Sequence, residues 1–197
     1  MWILLLAILA AAIHLFGYVV YARQSRGGGS QPNIITWGVW TFLVLLNAFS
    51  FFNIGDDPVR SLLPFASSLG VLWTFPLLLV QREFTIKKPS VKELSILLIC
   101  VVAGILWKLK IVDAAWANVA FQIGIIVSFI PTIEGVWGNP NNEKPFAWWL
   151  WVSAHTLQLG VITARFTRVE EFAAPIVGII LHGIVAMLCY RKICPKE

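Results

Sequence analysis

Two stretches of the sequence carry the same set of side chains that could hold a small polar molecule. Each reads Trp-x2-Trp, with further residues seven and ten positions after the first tryptophan, and the second stretch lies 111 residues after the first: Trp37, Trp40, Val44 and Asn47, then Trp148, Trp151, His155 and Gln158. Residues with this spacing lie along one narrow stripe of an α-helix. An indole offers a flat surface for stacking, and an amide offers both donors and an acceptor. The pattern predicts a pocket for a small solute, with similar side chains contributed by each of the two stretches.

Other apolar stretches add polar side chains that need a partner in hydrocarbon. Gln122 lies four residues after Asn118, and His182 lies within the last apolar stretch. Because an unbonded amide in hydrocarbon costs free energy, each must face protein, water or ligand. Two alternatives stay open: amides that only bond a neighbouring helix, and tryptophans that form a belt at the membrane interface. We predict a shared substrate-binding cavity near mid-membrane, lined by Trp40, Asn47, Gln122, Trp151, His155, Gln158 and His182.

The titratable residues bear on what the solute carries. His155 and His182 are predicted near mid-membrane, where a histidine could take up a proton that drives transport or simply bond a neighbour. No Asp, Glu, Lys or Arg lies inside a long apolar stretch. A pocket for an ion would need such a charge or the exposed ends of broken helices. The predicted solute is therefore neutral or weakly charged, and transport is facilitated or weakly proton-coupled.

The same residues argue against an enzyme, a metal site or a cofactor. The three cysteines, Cys100, Cys189 and Cys194, do not have the spacing of metal ligands. An integral membrane enzyme would need paired carboxylates, a Cys/His pair or a metal cluster. Glu134 and Glu170 are predicted at helix ends on opposite sides of the membrane, so they cannot meet. We expect no catalytic residue, no metal and no cofactor.

Seven uncharged stretches must supply the elements that position these side chains. Of the 197 residues, 58% are hydrophobic and 13% are charged, and the uncharged stretches run over 1–22, 34–55, 61–81, 94–107, 114–133, 145–164 and 172–190. Crossing a bilayer takes about 20 residues of helix. The fourth stretch reaches that length if the helix begins at 91–93 and Lys108 and Lys110 extend to the interface; a short re-entrant helix is the alternative. We predict an all-α integral membrane protein of seven transmembrane helices, with the lipid bilayer as a partner.

A shift of 111 residues aligns the first three stretches with the last three. It pairs Gly27/Gly138, Trp37/Trp148, Trp40/Trp151, Pro64/Pro175 and Leu77/Leu188, and Trp-x2-Trp-x23-Pro occurs in both copies. We predict two three-helix bundles, 1–81 and 113–192, joined by a linker helix at 91–111. Since the linker restores the chain direction, the bundles are predicted to be parallel, with the substrate between them. Prolines in helices favour kinks, so Pro64, Pro76, Pro131 and Pro175 are candidate gating positions.

The distribution of basic residues predicts the orientation. Ten of the 15 Lys and Arg residues fall on one side of the predicted membrane and five on the other. By the positive-inside rule the C-terminus is cytoplasmic and the N-terminus outside, in a membrane of the bacterial inner (plasma) membrane type. The basic residues are scattered over the linkers and form no stripe, so no nucleic-acid partner is expected. The predictions are compatible with a homo-oligomer.

The plan resembles that of the SWEET and PQ-loop transporter superfamily. SFIPTIEGVWGN at 128–139 resembles a degenerate PQ-loop, with Pro131–Thr132 where the family often has Pro–Gln, and LLNAFSFFNIG at 45–55 is similar to the end of a SWEET second helix. LLPFASSLG at 62–70 and AAPIVGIIL at 173–181 are similar to the proline-led starts of SWEET helices 3 and 7. The resemblance implies this fold and a transport function. It implies no sugar specificity, because Phe65 and Ile176 stand where sugar transporters commonly have an asparagine.

Two functions are consistent with these observations. The first is transport of a small neutral polar solute by alternating access, and PnuC-type vitamin transporters, which share the 3+1+3 plan, are further candidate relatives. The alternative is a PQ-loop-like membrane receptor that binds its ligand without transport, since PQ-loop relatives include cargo receptors.

Overall fold

The computed structural model describes residues 1–81 and 91–191, and its regular structure is helical. The helices are α1 (Trp2–Arg26), α2 (Ile34–Gly55), α3 (Pro58–Gln81), α4 (Val91–Lys108), α5 (Ala114–Ser128), α6 (Ile130–Gly138), α7 (Pro145–Ala164) and α8 (Ala173–Leu188). Short 3-10 turns occupy Pro140–Asn142 and Val169–Phe172. No strand occurs in these two described ranges. The all-α prediction is confirmed.

Five helical segments are long and apolar enough to cross a membrane: Trp2–Arg26, Thr36–Gly55, Pro58–Val80, Ala114–Gly138 and Val169–Leu188. Large apolar side chains also cover the outside of the protein. Leu5, Leu98 and Ile123 are each more than half exposed, which suits contact with lipid and not with water. These features indicate an integral membrane protein.

The fourth and fifth apolar stretches differ in how well their bounds were predicted. α4 begins at Val91, as the longer of the two predicted bounds requires. The fifth stretch was predicted as one span over 114–133, and the structure has one apolar helical segment there, Ala114–Gly138. It forms α5 and α6, and the break falls at Phe129, two residues before Pro131. Proline lacks an N–H and its ring collides with the carbonyl four residues earlier, so the helix restarts there.

The helices pack in pairs that connect the start of the chain to its end. α1 packs on α3 and α7, α2 packs on α3 and α5, and α7 packs on α8. α4 lies against α5, with a small contact to α2. α7 therefore sits between α1 and α8, which explains its low hydropathy. A helix with so many protein neighbours can carry Trp148, Trp151, His155 and Gln158 without facing them to lipid.

A buried cluster of charges lies where α3 begins. Arg60 and Glu171 form an ion pair, with side chains 3% and 1% exposed. Arg60 also donates to Asp57 (3.2 Å) and to Thr167 Oγ1 (2.6 Å). Partial burial raises the pKa of Asp57, but hydrogen bonds from Arg165 and from the backbone lower it overall, so Asp57 remains an anion. The sequence analysis had placed Arg60 in a linker and did not predict this cluster.

Two contacts join residues that are 111 positions apart in the chain. The Arg60–Glu171 ion pair is one of them. The other is a backbone hydrogen bond of 2.7 Å from the Gln31 N–H to the Asn142 carbonyl. Gln31 precedes α2 and Arg60 follows it. The two contacts therefore flank the opposite ends of α2.

The buried ion pair should contribute measurably to stability. Arg60→Leu leaves Glu171 charged and buried with Thr167 as its neighbour, so we expect a loss of about 3–5 kcal/mol. Glu171→Leu should cost less, because Arg60 keeps Asp57, and the double variant should cost less than the sum of the two. Thermal unfolding in detergent measures the cycle. Arg168→Leu, which removes an exposed pair with Asp113, is the matched control and should leave the unfolding temperature nearly unchanged. Additive single effects would contradict the buried pair.

Candidate functional site

A cavity of about 70 Å³ lies between α1, α2, α3, α5, α7 and α8. Six of the seven predicted substrate-binding residues line it: Trp40, Asn47, Gln122, Trp151, His155 and His182. A water molecule needs about 10–15 Å³ by this kind of measure, so the space holds about five waters. A compact solute of four or five non-hydrogen atoms would also fit, and a larger one would require a wider state.

The polar wall of the cavity is an amide network between α2 and α5. Asn118 Nδ2 donates to Asn47 Oδ1 (2.9 Å) and to Ser50 Oγ (3.0 Å). Gln122 Nε2 donates to the same Asn47 oxygen at 2.5 Å. Both interpretations of the amides therefore apply here. The network joins two helices, and Asn47 and Gln122 also line the cavity.

Gln158 does not join this site, although its position in the repeat matches that of Asn47. Its Nε2 donates to the Arg60 carbonyl at 2.6 Å, and the side chain is 1% exposed and absent from the cavity lining. The reason lies on the facing helix. Asn118 and Gln122 of α5 correspond to Ala7 and Ala11 of α1, which offer no side-chain partner. Gln158 therefore bonds a backbone carbonyl and ties α7 to α3.

The paired tryptophans are buried inside the protein, not arranged as a belt. Trp37, Trp40, Trp148 and Trp151 are 0–7% exposed. Trp40 Nε1 donates to Ser128 Oγ (2.7 Å), which in turn donates to the Ile125 carbonyl (2.7 Å). Trp151 Nε1 donates directly to the His14 carbonyl (3.2 Å). Gly17 of α1 is the residue that corresponds to Ser128 of α5. Because glycine has no side chain to stand between them, the Trp151 indole bonds the backbone carbonyl directly, without an intervening hydroxyl.

Three rings that line the cavity rest against helical glycines. Trp151 lies on Gly17, where an added Cβ would sit 2.6 Å from the indole nitrogen. Tyr18 lies on Gly70 and His155 on Gly178 in the same way, with ring atoms where a Cβ would be. These glycines allow a close approach of helix backbone and ring that any other residue would block.

The chain's three histidines gather on the other side of the cavity. Ring centroids are 5.2 Å apart for His14 and His155, and 5.4 Å apart for His155 and His182. His182 Nδ1 donates to the Gly178 carbonyl (2.6 Å), and a His14 ring nitrogen bonds Ser67 Oγ (3.1 Å). Within residues 1–81 and 91–191, no group of three or more His, Cys, Asp or Glu side chains could hold a metal ion.

Three polar or aromatic cavity residues on α1 and α3 were not predicted from the sequence: His14, Tyr18 and Ser67. His14 lies beyond the middle of α1, and the repeat gives no second histidine at its equivalent position, Ile125. A usable signal was present, since His14, Gly17 and Tyr18 fall on one helix face at intervals of three and four residues. Spacing within α1 did not reveal which helix this face meets.

Buried contacts lie near both ends of α2. Toward its start, Tyr21 stacks near Trp37 (centroids 4.9 Å apart) and donates to Glu143 Oε1 (2.8 Å). Trp148 Nε1 also donates to Glu143, whose side chain is 4% exposed. Toward the end of α2, Arg60 and Glu171 form the buried ion pair. An aromatic layer and an ionic layer therefore lie near opposite ends of α2.

The candidate gating prolines lie in three helices, and none of them is among the residues that line the cavity. Pro64 and Pro76 lie inside α3, Pro131 lies at the start of α6, and Pro175 lies in the first turn of α8.

No protein-family model matches the chain, and no curated protein or solved structure is significantly similar to it. The resemblance to SWEET, PQ-loop and PnuC-type transporters therefore stays a prediction.

The ring-on-glycine contacts predict an unusual response to Gly→Ala substitution. Alanine favours a helix over glycine by about 1 kcal/mol, yet Gly17→Ala should destabilise the protein by about 1–3 kcal/mol because the methyl group displaces the Trp151 indole. Gly135→Ala is the matched control, since a Cβ there meets nothing within 4 Å. That variant should be neutral or stabilising in thermal unfolding. Equal effects of the two substitutions would contradict the close contact.

Proposed function

We propose that the chain is a membrane transporter with seven spans in a 3+1+3 plan, which moves a small neutral polar solute by alternating access. The observation that carries the proposal is the composition of the cavity wall. Six pairs of lining residues are each separated by 111 positions: His14/Ile125, Tyr18/Phe129, Trp40/Trp151, Val44/His155, Ser67/Gly178 and Val71/His182. Paired positions around one space are what a rotation axis through that space produces.

The contacts at the two ends of α2 support the same axis. A residue touches its own counterpart only where it lies close to the axis, and both Arg60–Glu171 and Gln31–Asn142 do so. An axis through both ends of α2 runs along the helices, and hence along the membrane normal. Rotation about this axis would place α1 on α5 and α7 on α2, so the α1–α7 contact should have an α5–α2 counterpart. Both contacts occur. This supports parallel bundles at 1–81 and 113–192.

Seven spans follow if α4 and α7 join the five most apolar segments, with α5 and α6 counted as one. α7 has 20 residues and none of them is charged, and α4 has 18 residues. α4 packs beside α5, outside the paired helices, as a linker at 91–111 would. The distribution of Lys and Arg supports a cytoplasmic C-terminus, an outer N-terminus and a bacterial inner-membrane location.

Alternating access is supported by the contacts that join the two proposed bundles near each end of α2. The ionic layer joins Arg60 of the first bundle to Glu171 of the second. The aromatic layer joins Tyr21 to Glu143 across the same interface. Relative rotation of the bundles would open one layer while the other stays closed. A neutral solute fits, because no Asp, Glu, Lys or Arg is among the lining residues and an unpaired ion there would be costly.

A flux assay tests the proposal. The purified protein is reconstituted into liposomes, and swelling in gradients of glycerol, urea and erythritol is followed by stopped-flow light scattering. We expect saturable flux above that of empty liposomes for at least one solute. Val44→Phe puts a ring into the cavity and should reduce that flux at least tenfold. Leu9→Phe, on the half-exposed outer face, should not change it.

Two results would contradict transport of the solute through this cavity. Binding of a solute without flux would favour the receptor alternative. Flux that Val44→Phe leaves unchanged would mean that the solute does not pass through this cavity.

A further inference from the structure

Hydrogen bonds within the amide network leave one donor and one acceptor for a ligand, side by side on the cavity wall. Asn47 Oδ1 accepts from both Asn118 and Gln122. On these two cavity-lining residues the atoms left over are Asn47 Nδ2 and Gln122 Oε1, and neither has a hydrogen-bond partner among the residues that the structure describes; Asn118 Oδ1 also lacks a partner, but it is buried and Asn118 does not line the cavity. Neither Asn47 Nδ2 nor Gln122 Oε1 belongs to the buried atoms without a partner, so both keep contact with open space. Because both residues line the cavity, that space is the cavity.

The pairing of one donor with one acceptor does not depend on how the amides are oriented. The oxygen and nitrogen of an amide are assigned from the network. If Asn47 were rotated by half a turn, its nitrogen would face the donors of both Asn118 and Gln122, and both of those amides would have to rotate as well. The atoms facing the cavity would then be Asn47 Oδ1 and Gln122 Nε2. In either arrangement the ligand meets one donor and one acceptor on adjacent groups.

We infer that the cavity recognises a planar carboxamide or urea group, which carries an acceptor and a donor at matching positions. The inference rests on the proposed function and names its solute class. The carbonyl of such a group would accept from Asn47, and its N–H would donate to Gln122. A bound ketone would leave the Gln122 oxygen without a donor, and a bound amidinium would leave the Asn47 N–H without an acceptor. Because a buried polar group without a hydrogen bond is costly, the site should discriminate strongly against both ligands.

Charge and size agree with this class. A carboxylate or an amidinium would lose its hydration in a wall that contains no charged side chain. The cavity volume of about 70 Å³ matches a group of four or five non-hydrogen atoms. Acetamide and urea have four such atoms, and larger amides would bind through their amide end in a wider state.

Four ligands of the same shape test the inference. Acetamide, acetone, acetate and acetamidinium differ only in which hydrogen bonds they can make. Their binding to the purified full-length protein is measured by ligand-detected NMR titration. We expect acetamide to bind at least about tenfold more tightly than each of the others. Equal binding of acetamide and acetone would overturn the inference.

Two variants make the test specific. Asn47→Asp keeps the oxygen that accepts from Asn118 and Gln122 but turns the donor into an acceptor, so the preference should move from acetamide to acetamidinium. Gln122→Met removes the acceptor and should make acetamide and acetone equal. Asn53→Asp, the same change at an exposed site on α2, should leave the preference intact. An Asn47→Asp protein that still prefers acetamide would overturn the assignment.

The two proposals fail in different ways. Solute flux that is blocked by Val44→Phe but shows no preference among the four ligands would leave transport standing and remove the amide class. An acetamide preference without any flux would keep the amide site and remove transport.

Discussion

Arg60 and Glu171 carry opposite charges and meet in the interior from positions 111 residues apart. In a duplicated structure, a residue close to the rotation axis faces its own counterpart. Two identical charges there would repel each other in a medium that screens poorly. The copies must therefore differ where they touch, and they do: Asp57 corresponds to Arg168 as Arg60 corresponds to Glu171. Under the proposed duplication, this constraint accounts for the opposite charges at these two pairs of equivalent positions.

The same requirement shapes the cavity. Where one copy has Ser128, which relays a hydrogen bond from Trp40, the other has Gly17 and lets Trp151 reach the backbone. The polar groups are divided in the same unequal way. The amides lie where α2 meets α5, and the histidines lie where α1, α7 and α8 meet. Under the proposed two-bundle plan, the polar groups around the cavity are thus distributed asymmetrically, as a solute that binds in one orientation would require.

The sequence predicted the helical class and six of the residues that line the cavity, because charge-free length and helical spacing depend on local sequence alone. Spacing places Asn47 and Gln158 on the same face of their helices, but it does not name the partner across the interface. That partner is Gln122 for Asn47, whereas alanines leave Gln158 to a backbone carbonyl. Arg60 was missed for a related reason, since an arginine after an Asp-Asp-Pro turn is usually exposed.

The central claim is that closure at one end of the protein is coupled to opening at the other. Spin labels at Gln31 and Asn141 report on one end, and labels at Asp56 and Val169 on the other; all four positions are exposed. Glu171→Gln weakens the ion pair but keeps a hydrogen-bonding side chain. With the native cysteines replaced, double electron–electron resonance should show this variant lengthening the 56–169 distance while the 31–141 distance, which the Gln31–Asn142 hydrogen bond holds short, does not increase. A 31–141 distance that lengthens together with the 56–169 distance would contradict the coupling.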